Sequence, residues 1–323
     1  MAEITLREAI RQALREEMQR DERVFLMGED IGPYGGAYAV TKGLVDEFGP
    51  TRVRDTPISE GTIVGVAVGA AMGGMRPVAE LMTINFALLA MDAIVNSAAK
   101  VHYMFGGQIR SPVVIRTASG WGQLAATHSQ SFEAWFAHVP GLIVVMPATP
   151  YDAKGLLKAA IRDENPVVFI EHSLVYGIRG EVPEGDYVLP FGKADVKREG
   201  SDVTIVTYAR MLHISLRAAV TLASQGIEAE IVDLRSLRPL DMETVLKSVR
   251  KTNHVVIAEE DWKTYGVGAE ISARIVESGF DYLDAPPVRV AMQEAPMPYA
   301  RNLERAAIPD ETSVINAVKS VVA

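Results

Sequence analysis

Asp55-Thr-Pro-Ile-Ser-Glu60 runs directly into Gly61-Thr-Ile-Val-Gly65-Val-Ala-Val-Gly69-Ala-Ala-Met-Gly73, where glycine recurs at every fourth position. At helical spacing these glycines line one stripe. Each interior glycine costs a helix ~1 kcal/mol against alanine, so the pattern predicts close packing against another backbone. The expectation is a helix buried between neighbouring elements or at a subunit interface. The stripe is similar to the small-residue seams of membrane helices, but the run is too short to span a bilayer. An apolar strand, Pro77 to Met82, follows the helix.

The same alternation extends in both directions. Thr5-Leu-Arg-Glu8 reads as a capping box, opening a helix whose Leu6, Ala9, Ile10, Ala13, Leu14 and Met18 share a face. Val24 to Met27 reads as a strand, Ala87 to Lys100 as a helix, Pro112 to Arg116 as a strand and Ser129 to His138 as a helix. Leu142 to Met146 is a strand, Thr149-Pro150 opens a helix to about Asp163, and Pro166 to Glu171 is a strand. Residues 176–200 turn rich in Gly, Pro and charge, which suits a connector. Beyond it, strands at 203–207, 229–232, 255–258 and 287–291 alternate with helices at 211–224, 242–250, 269–278 and 313–322. The reading is α/β: two domains, residues 1–185 and 201–323, joined by a linker at 186–200, each a mainly parallel sheet flanked by helices.

Composition narrows the function. Of 323 residues 48% are hydrophobic, which excludes disorder, and the net charge of −9 argues against nucleic acid. The absence of cysteine removes disulfides, thiolate metal sites and thiol catalysis. No run approaches the ~18 apolar residues of a membrane span, and no leader is evident, so a prokaryotic cytoplasm is the expected location. P-loop, nucleophile-elbow and zinc-hydrolase motifs are missing. Gly266-Val-Gly268 lacks the third glycine of a dinucleotide fingerprint, Ile271 standing there instead, and reads as a turn before a helix.

Taken alone, Glu60 is an acidic first-turn residue favoured by the helix dipole; the other reading is a buried carboxylate fit for proton transfer. A single histidine such as His128, alone among the six in a Gly/Ala/Thr-rich loop, would by itself be structural, and His138 reads as packing. The ordered set is more specific. Asp55 to Glu60, Gly73-Gly-Met-Arg-Pro-Val-Ala-Glu80, Asn85-Phe86 and Ala93 to Lys100 are joined by His128-Ser-Gln, His138-Val-Pro-Gly-Leu142 and Tyr151 to Leu157. Ala160-Ile-Arg-Asp163, Asn165-Pro-Val167, Asp233 to Leu240, Gly266 to Glu270 and Pro296 to Ala300 complete it. Together they resemble, over nearly the whole chain, the β subunit of the E1 component of 2-oxo acid dehydrogenase complexes.

The resemblance implies a transketolase-like pyrimidine-binding domain followed by a transketolase C-terminal-like domain, and an enzyme that uses thiamine diphosphate to decarboxylate a 2-oxo acid and pass the acyl unit to a lipoyl group. It places Glu60 against N1′ of the aminopyrimidine and Phe86 on its face. It puts Glu29 and Ser59 beside the cofactor, Ile58 and Met82 in the pocket wall, and His128 in proton transfer and lipoyl guidance. Val113, Ala160, Ile161, Asp163 and Asn165 match a potassium site. Mg²⁺ and the diphosphate belong to the family's α subunit, whose Gly-Asp-Gly signature this chain lacks. The implied working form is an α₂β₂ heterotetramer docked on a lipoyl acyltransferase, inactive without the α subunit. Asp261 to Glu270 and Leu283 to Arg289 look most like pyruvate versions, whereas the loop Thr117 to Leu124, with Trp121, departs from them. Branched-chain 2-oxo acid and acetoin enzymes are the alternatives, followed by a transketolase-like fragment and a non-catalytic scaffold.

Overall fold

A computed structural model describes residues 2–322, and the chain divides into two compact units. Of the described residues, the first comprises 2–120 and 135–191, the second 121–134 and 192–322.

In the first unit, β1 (Ala2–Thr5) pairs antiparallel with β8 (Arg179–Val182) at one side of the sequence of alternating elements. Between them come α1 (Leu6–Arg20), β2 (Val24–Gly28), α2 (Leu44–Phe48), β3 (Val53–Asp55), α3 (Glu60–Met72) and β4 (Arg76–Leu81). They continue with α4 (Val101–Met104), β5 (Val114–Ser119), α5 (Glu133–His138), β6 (Ile143–Val145), α6 (Pro150–Arg162) and β7 (Val167–His172). The sheet strands are all parallel, in the order β6-β7-β5-β4-β2-β3. The chain moves one way from β2 to β3, then crosses back past β2 to β4. The crevice at the carboxyl ends of β2 and β4 is therefore the point where strand order reverses, the usual ligand position in such sheets.

Local chemistry explains the elements. Thr5 and Glu8 form the expected reciprocal cap, with Thr5 N donating to Glu8 Oε2 at 2.8 Å. The predicted face of α1 is buried. Thr149 caps α6, with Pro150 in its first turn. Where β2 meets β4, a Cβ on Gly28 would stand 2.6 Å from the Glu80 carbonyl oxygen. Gly28→Ala should force the two backbones apart and cost about 1–3 kcal/mol, measurable as a lowered urea midpoint at unchanged slope.

In the second unit, β9 (Asp195–Arg198), β10 (Val203–Thr207), α7 (Arg210–Ala223), β11 (Ala229–Asp233), β12 (Ser236–Arg238) and α8 (Met242–Thr252) lead to β13 (Val255–Trp262). Then follow α9 (Val267–Gly279), β14 (Val288–Met292), α10 (Arg301–Ala307) and α11 (Glu311–Val322). The sheet order is β14-β13-β10-β11-β9, parallel except for β9.

Four expectations are revised. The stretch 186–200 contains β9, and Asp186 ion-pairs with Lys158 and Arg162, so it is not a bare connector. The helix expected over 87–100 is instead a 3-10 turn at Ile84–Ala90 and a π-helical turn at Ala93–Ala98. The helix expected from Ser129 begins at Glu133. Nor do Gly65 and Gly69 pack against another backbone of this chain: a Cβ on either would meet open space, and only Gly61 lies close, 3.0 Å from the Leu89 carbonyl oxygen. Two alternating glycine positions thus face outward beside Val66 and Met72, which are also exposed.

Candidate active site

Three neighbouring parallel strands deliver the expected cofactor residues. Glu29 follows β2, Ile58, Ser59 and Glu60 follow β3, and Met82 and Phe86 follow β4. The loop after β2 is tied to β3: Gly32 N donates to Asp55 Oδ1 at 2.6 Å and Thr56 N to the Gly28 carbonyl at 3.0 Å. The turn after β4 is held by Phe86 N donating to Thr83 O and by Asn85 Nδ2 donating to Thr83 Oγ1. Asn85, buried within the quoted motif, belongs to this architecture although the sequence reading assigned it no role.

Glu60 is the first residue of α3 and is buried at 3% exposure, alongside buried Ile63 and Val64. Ser59 precedes it as the cap position, but its hydroxyl donates to Thr62 Oγ1 at 2.7 Å rather than serving a helix amide. Glu29 is also buried, and its Oε1 has no hydrogen-bond partner. Burial pushes the Glu29 carboxyl up from its ordinary value, and the nearby Glu60 charge pushes it further. Two buried carboxyls therefore neighbour each other at the strand-reversal point, one with an orphaned oxygen. Met82 and Phe86 are half-buried. Ile58, expected in the pocket wall, is 80% exposed in the single chain, so it supplies no burial to Glu60.

His128 belongs to the second unit and is exposed, with Nδ1 2.9 Å from Thr127 Oγ1. Trp121, at the start of that segment, packs against a cluster of Met292, Met297, Ala307 and Ile308, with the Arg210 guanidinium 4.7 Å from its ring centroid.

The expected potassium ligands lie around the C-terminus of α6. Arg76 Nη1 donates to the Ile161 carbonyl at 3.0 Å and to the Asp163 carbonyl at 2.9 Å. Asp163 Oδ1 accepts from Asn165 N at 2.7 Å and Nδ2 at 2.9 Å, and the Val113 carbonyl accepts from Val167 N. Carbonyls at a helix end attract a cation, and here a guanidinium fills that role. Among the described residues no group of three or more His, Cys, Asp or Glu side chains could hold a metal.

Comparison with known proteins identifies both units. Residues 2–177 match the transketolase pyrimidine-binding domain and residues 192–314 the transketolase C-terminal domain. A pyruvate dehydrogenase E1 component subunit beta from Rhizobium meliloti is 53% identical over 99% of this chain and 70% of its own length. One from Rickettsia felis is 52% identical over 99% of this chain and 98% of its own. The chain belongs to the pyruvate dehydrogenase E1 β-subunit family. Glu29 and Glu60 both lie within the residues that match the pyrimidine-binding domain. A solved split-gene transketolase, described as an inactive β4 tetramer, superposes with a TM-score of 0.82 at 28% identity, covering 99% of this chain and 98% of its own. No helix among the described residues is long and apolar enough to cross a membrane.

A second group of acids lies away from this crevice. Glu133, Glu259 and Asp261 are buried in the second unit beside Tyr208. The run Glu259-Glu-Asp261 at the end of an apolar strand was the available signal.

Proposed function

We propose that this chain is the β subunit of a pyruvate dehydrogenase E1 component. With an α subunit in an α₂β₂ heterotetramer, it decarboxylates pyruvate and passes the acetyl unit to the lipoyl group of an acyltransferase, in a prokaryotic cytoplasm. The observation that carries the reading is the pair of buried carboxyls, Glu29 and Glu60, where strand order reverses in a pyrimidine-binding domain. The orphaned Glu29 oxygen and the buried acid at the start of α3 fit the amino and ring-nitrogen groups of an aminopyrimidine.

When bound, thiamine diphosphate supplies the electron sink for loss of carbon dioxide. Glu60 would hold a proton at ring nitrogen N1′. Glu29, its carboxyl pushed up by burial and by the Glu60 charge, would turn its unpartnered oxygen toward the amino group. Phe86 and Met82 would offer an apolar face to the ring, while Ser59 lies beside Glu60 at the site's edge. His128 would move protons during acyl transfer. Mg²⁺ and the diphosphate would be held by the α subunit, without which this chain is inactive.

Potassium is expected to matter little to stability, because two of its carbonyls, those of Ile161 and Asp163, already accept from Arg76 and that of Val113 from Val167 N. Exchanging KCl for NaCl at equal ionic strength should leave the melting temperature of the chain unchanged; a rise in KCl alone would restore the ion to the site.

The deciding measurement co-expresses the chain with its α partner and follows reduction of an artificial acceptor with thiamine diphosphate and Mg²⁺. Pyruvate, 2-oxoisovalerate and acetoin are offered in parallel. Turnover requiring both chains and favouring pyruvate is expected. Preference for another substrate would overturn the substrate, and no turnover from an assembled, cofactor-loaded complex would overturn the catalytic reading.

A further inference from the structure

Residues 121–134 form a strap on the second unit, anchored at both ends. At the first end, Gly122 N and Gln123 N donate to Glu304 Oε1 at 3.2 and 2.6 Å, and Arg301 Nη2 donates to Gln123 Oε1 at 2.9 Å. Gln123 and Ala125 sit at φ of 59° and 64°, a left-handed backbone that non-glycine residues adopt only when held there. At the other end Phe132 is buried and Ser131 Oγ donates to the Glu260 carbonyl at 2.7 Å. Glu133 then enters a closed polar cluster. His128 lies between the anchors, exposed.

The cluster has too few hydrogens if every acid is ionised. Tyr208 Oη lies 3.2 Å from Glu133 Oε1 and 3.3 Å from Glu259 Oε2, but the phenol owns one hydrogen. With both carboxylates charged, one faces the phenol oxygen unbridged. Glu133 Oε2 and Glu259 Oε1 have no partners either. One retained proton completes the chain. Its place follows from the surroundings: Glu259 Oε2 also accepts Gly268 N at 2.8 Å, near the start of α9, and it feels the positive charge of Arg289. Glu133 has its own amide as main-chain donor but faces the charges of Asp261 and Glu259 with no cation beside it, so Glu259 is the better-stabilised anion.

We propose that Glu133 is a positioning residue for His128: its carboxyl hydrogen bonds Tyr208 Oη, whose own hydrogen bonds Glu259, so the strap is set by one retained proton. The proposal rests on the assignment of His128 to acyl transfer made above. The other charged groups facing the cluster do not discharge it. Asp261, which accepts Trp262 N at 2.7 Å, adds a further buried acid, and Glu294 bears on it. Glu260 is ion-paired with Arg210. Burial pushes Glu133 well above the ordinary range and carries Glu259 and Asp261 up to about 7.

The sign follows from linkage. In the anchored state Glu133 keeps a proton that it gives up once released to water, where its carboxyl returns to the ordinary range. Opening of the strap therefore grows as pH rises from that range toward the anchored value, by about tenfold per pH unit for one proton, and the anchor is fully weakened above it.

Hydrogen exchange of the strap amides in the full chain tests this between pH 5.5 and 8.5, after correction for intrinsic exchange. Wild type should lose protection as pH rises, by at most about tenfold per pH unit for this one proton. Glu133→Gln, which keeps an amide donor for Tyr208 without a titrating proton, should retain protection with a shallower slope, left by Glu259 and Asp261, whereas Glu133→Ala should lose protection at every pH. An unchanged slope in Glu133→Gln, or no slope in wild type, would overturn the proposal. In the complex with the α subunit, the alkaline limb of kcat should move in Glu133→Gln but not with His102→Gln, a change outside the strap. Turnover whose alkaline limb is identical in wild type and Glu133→Gln overturns the positioning role. Absence of wild-type turnover at all pH values, with the exchange slope intact, instead overturns the catalytic reading on which it rests.

Discussion

Glu60→Gln is expected to lower turnover of the assembled enzyme by about 10²–10⁴-fold while changing stability by less than about 0.5 kcal/mol. The asymmetry has a physical origin. Glu60 is buried at the first turn of α3, yet Gln keeps its size, so packing against Ile63 and Val64 survives. What disappears is the capacity to exchange a proton at a ring nitrogen. A second readout separates loss of chemistry from loss of shape: the Glu29 carboxyl should move down toward its ordinary value, because a neighbouring charge that pushed it up is gone. Thermal melts and a pH titration of the Glu29 carboxyl resonance check both. A fall in melting temperature matching the loss of turnover would assign Glu60 to structure instead.

The second large effect lies in the centre of the first unit's sheet. Arg116 on β5 is buried, and its Nη2 donates to Glu171 Oε2 on β7 at 2.7 Å while Nη1 bonds Glu80 on β4. Tyr176 also donates to Glu171. Burial alone would push the Arg116 guanidinium down, but Glu171 and Glu80 outweigh it and raise it well above its usual value. Arg116→Met leaves two buried carboxyls without their cation, and should cost about 3–5 kcal/mol. At ~2–4 °C per kcal/mol for a unit of this size, the melting temperature should fall by roughly ten degrees. Adding Glu80→Gln and Glu171→Gln should recover much of the loss, because the penalty is the unpaired charge rather than the missing attraction. Equal instability of single and triple variants would mean that shape, not charge, is what Arg116 contributes.

The alternation of strands and helices was legible because buried parallel strands show short apolar runs and helices show a repeating face, as in Val24 to Met27 and the Leu6 to Met18 stripe. Caps at Thr5 and Thr149 were legible for the same local reason. The 84–104 region was not, since its 3-10 and π turns preserve a helix-like composition while changing the hydrogen bonds. Burial of Glu60 could be suspected from its apolar neighbours, but the exposure of Ile58 could not, because it lies on a bend after β3 where no regular periodicity sets its face. Nothing local shows that Ile161 and Asp163 face an arginine from 85 and 87 residues earlier in the chain. Nor could spacing assign residues 121–134 to the second unit, since the partners of Gln123 and Glu133 come from far later elements.

That discontinuity sets an order of events during synthesis. By the time Phe191 has been added, every segment of the first unit exists, while Tyr208, Glu259 and Glu304, which receive the intervening strap, have not been made. At translation rates of ~5–20 residues per second, Trp121 and Glu133 wait on the order of ten seconds without a surface to cover them. A nascent chain halted in that interval carries an uncovered tryptophan and an unpaired acid on a strand of polypeptide that is already finished on either side. For this molecule, the hazard of arrested translation falls on the strap that bears His128.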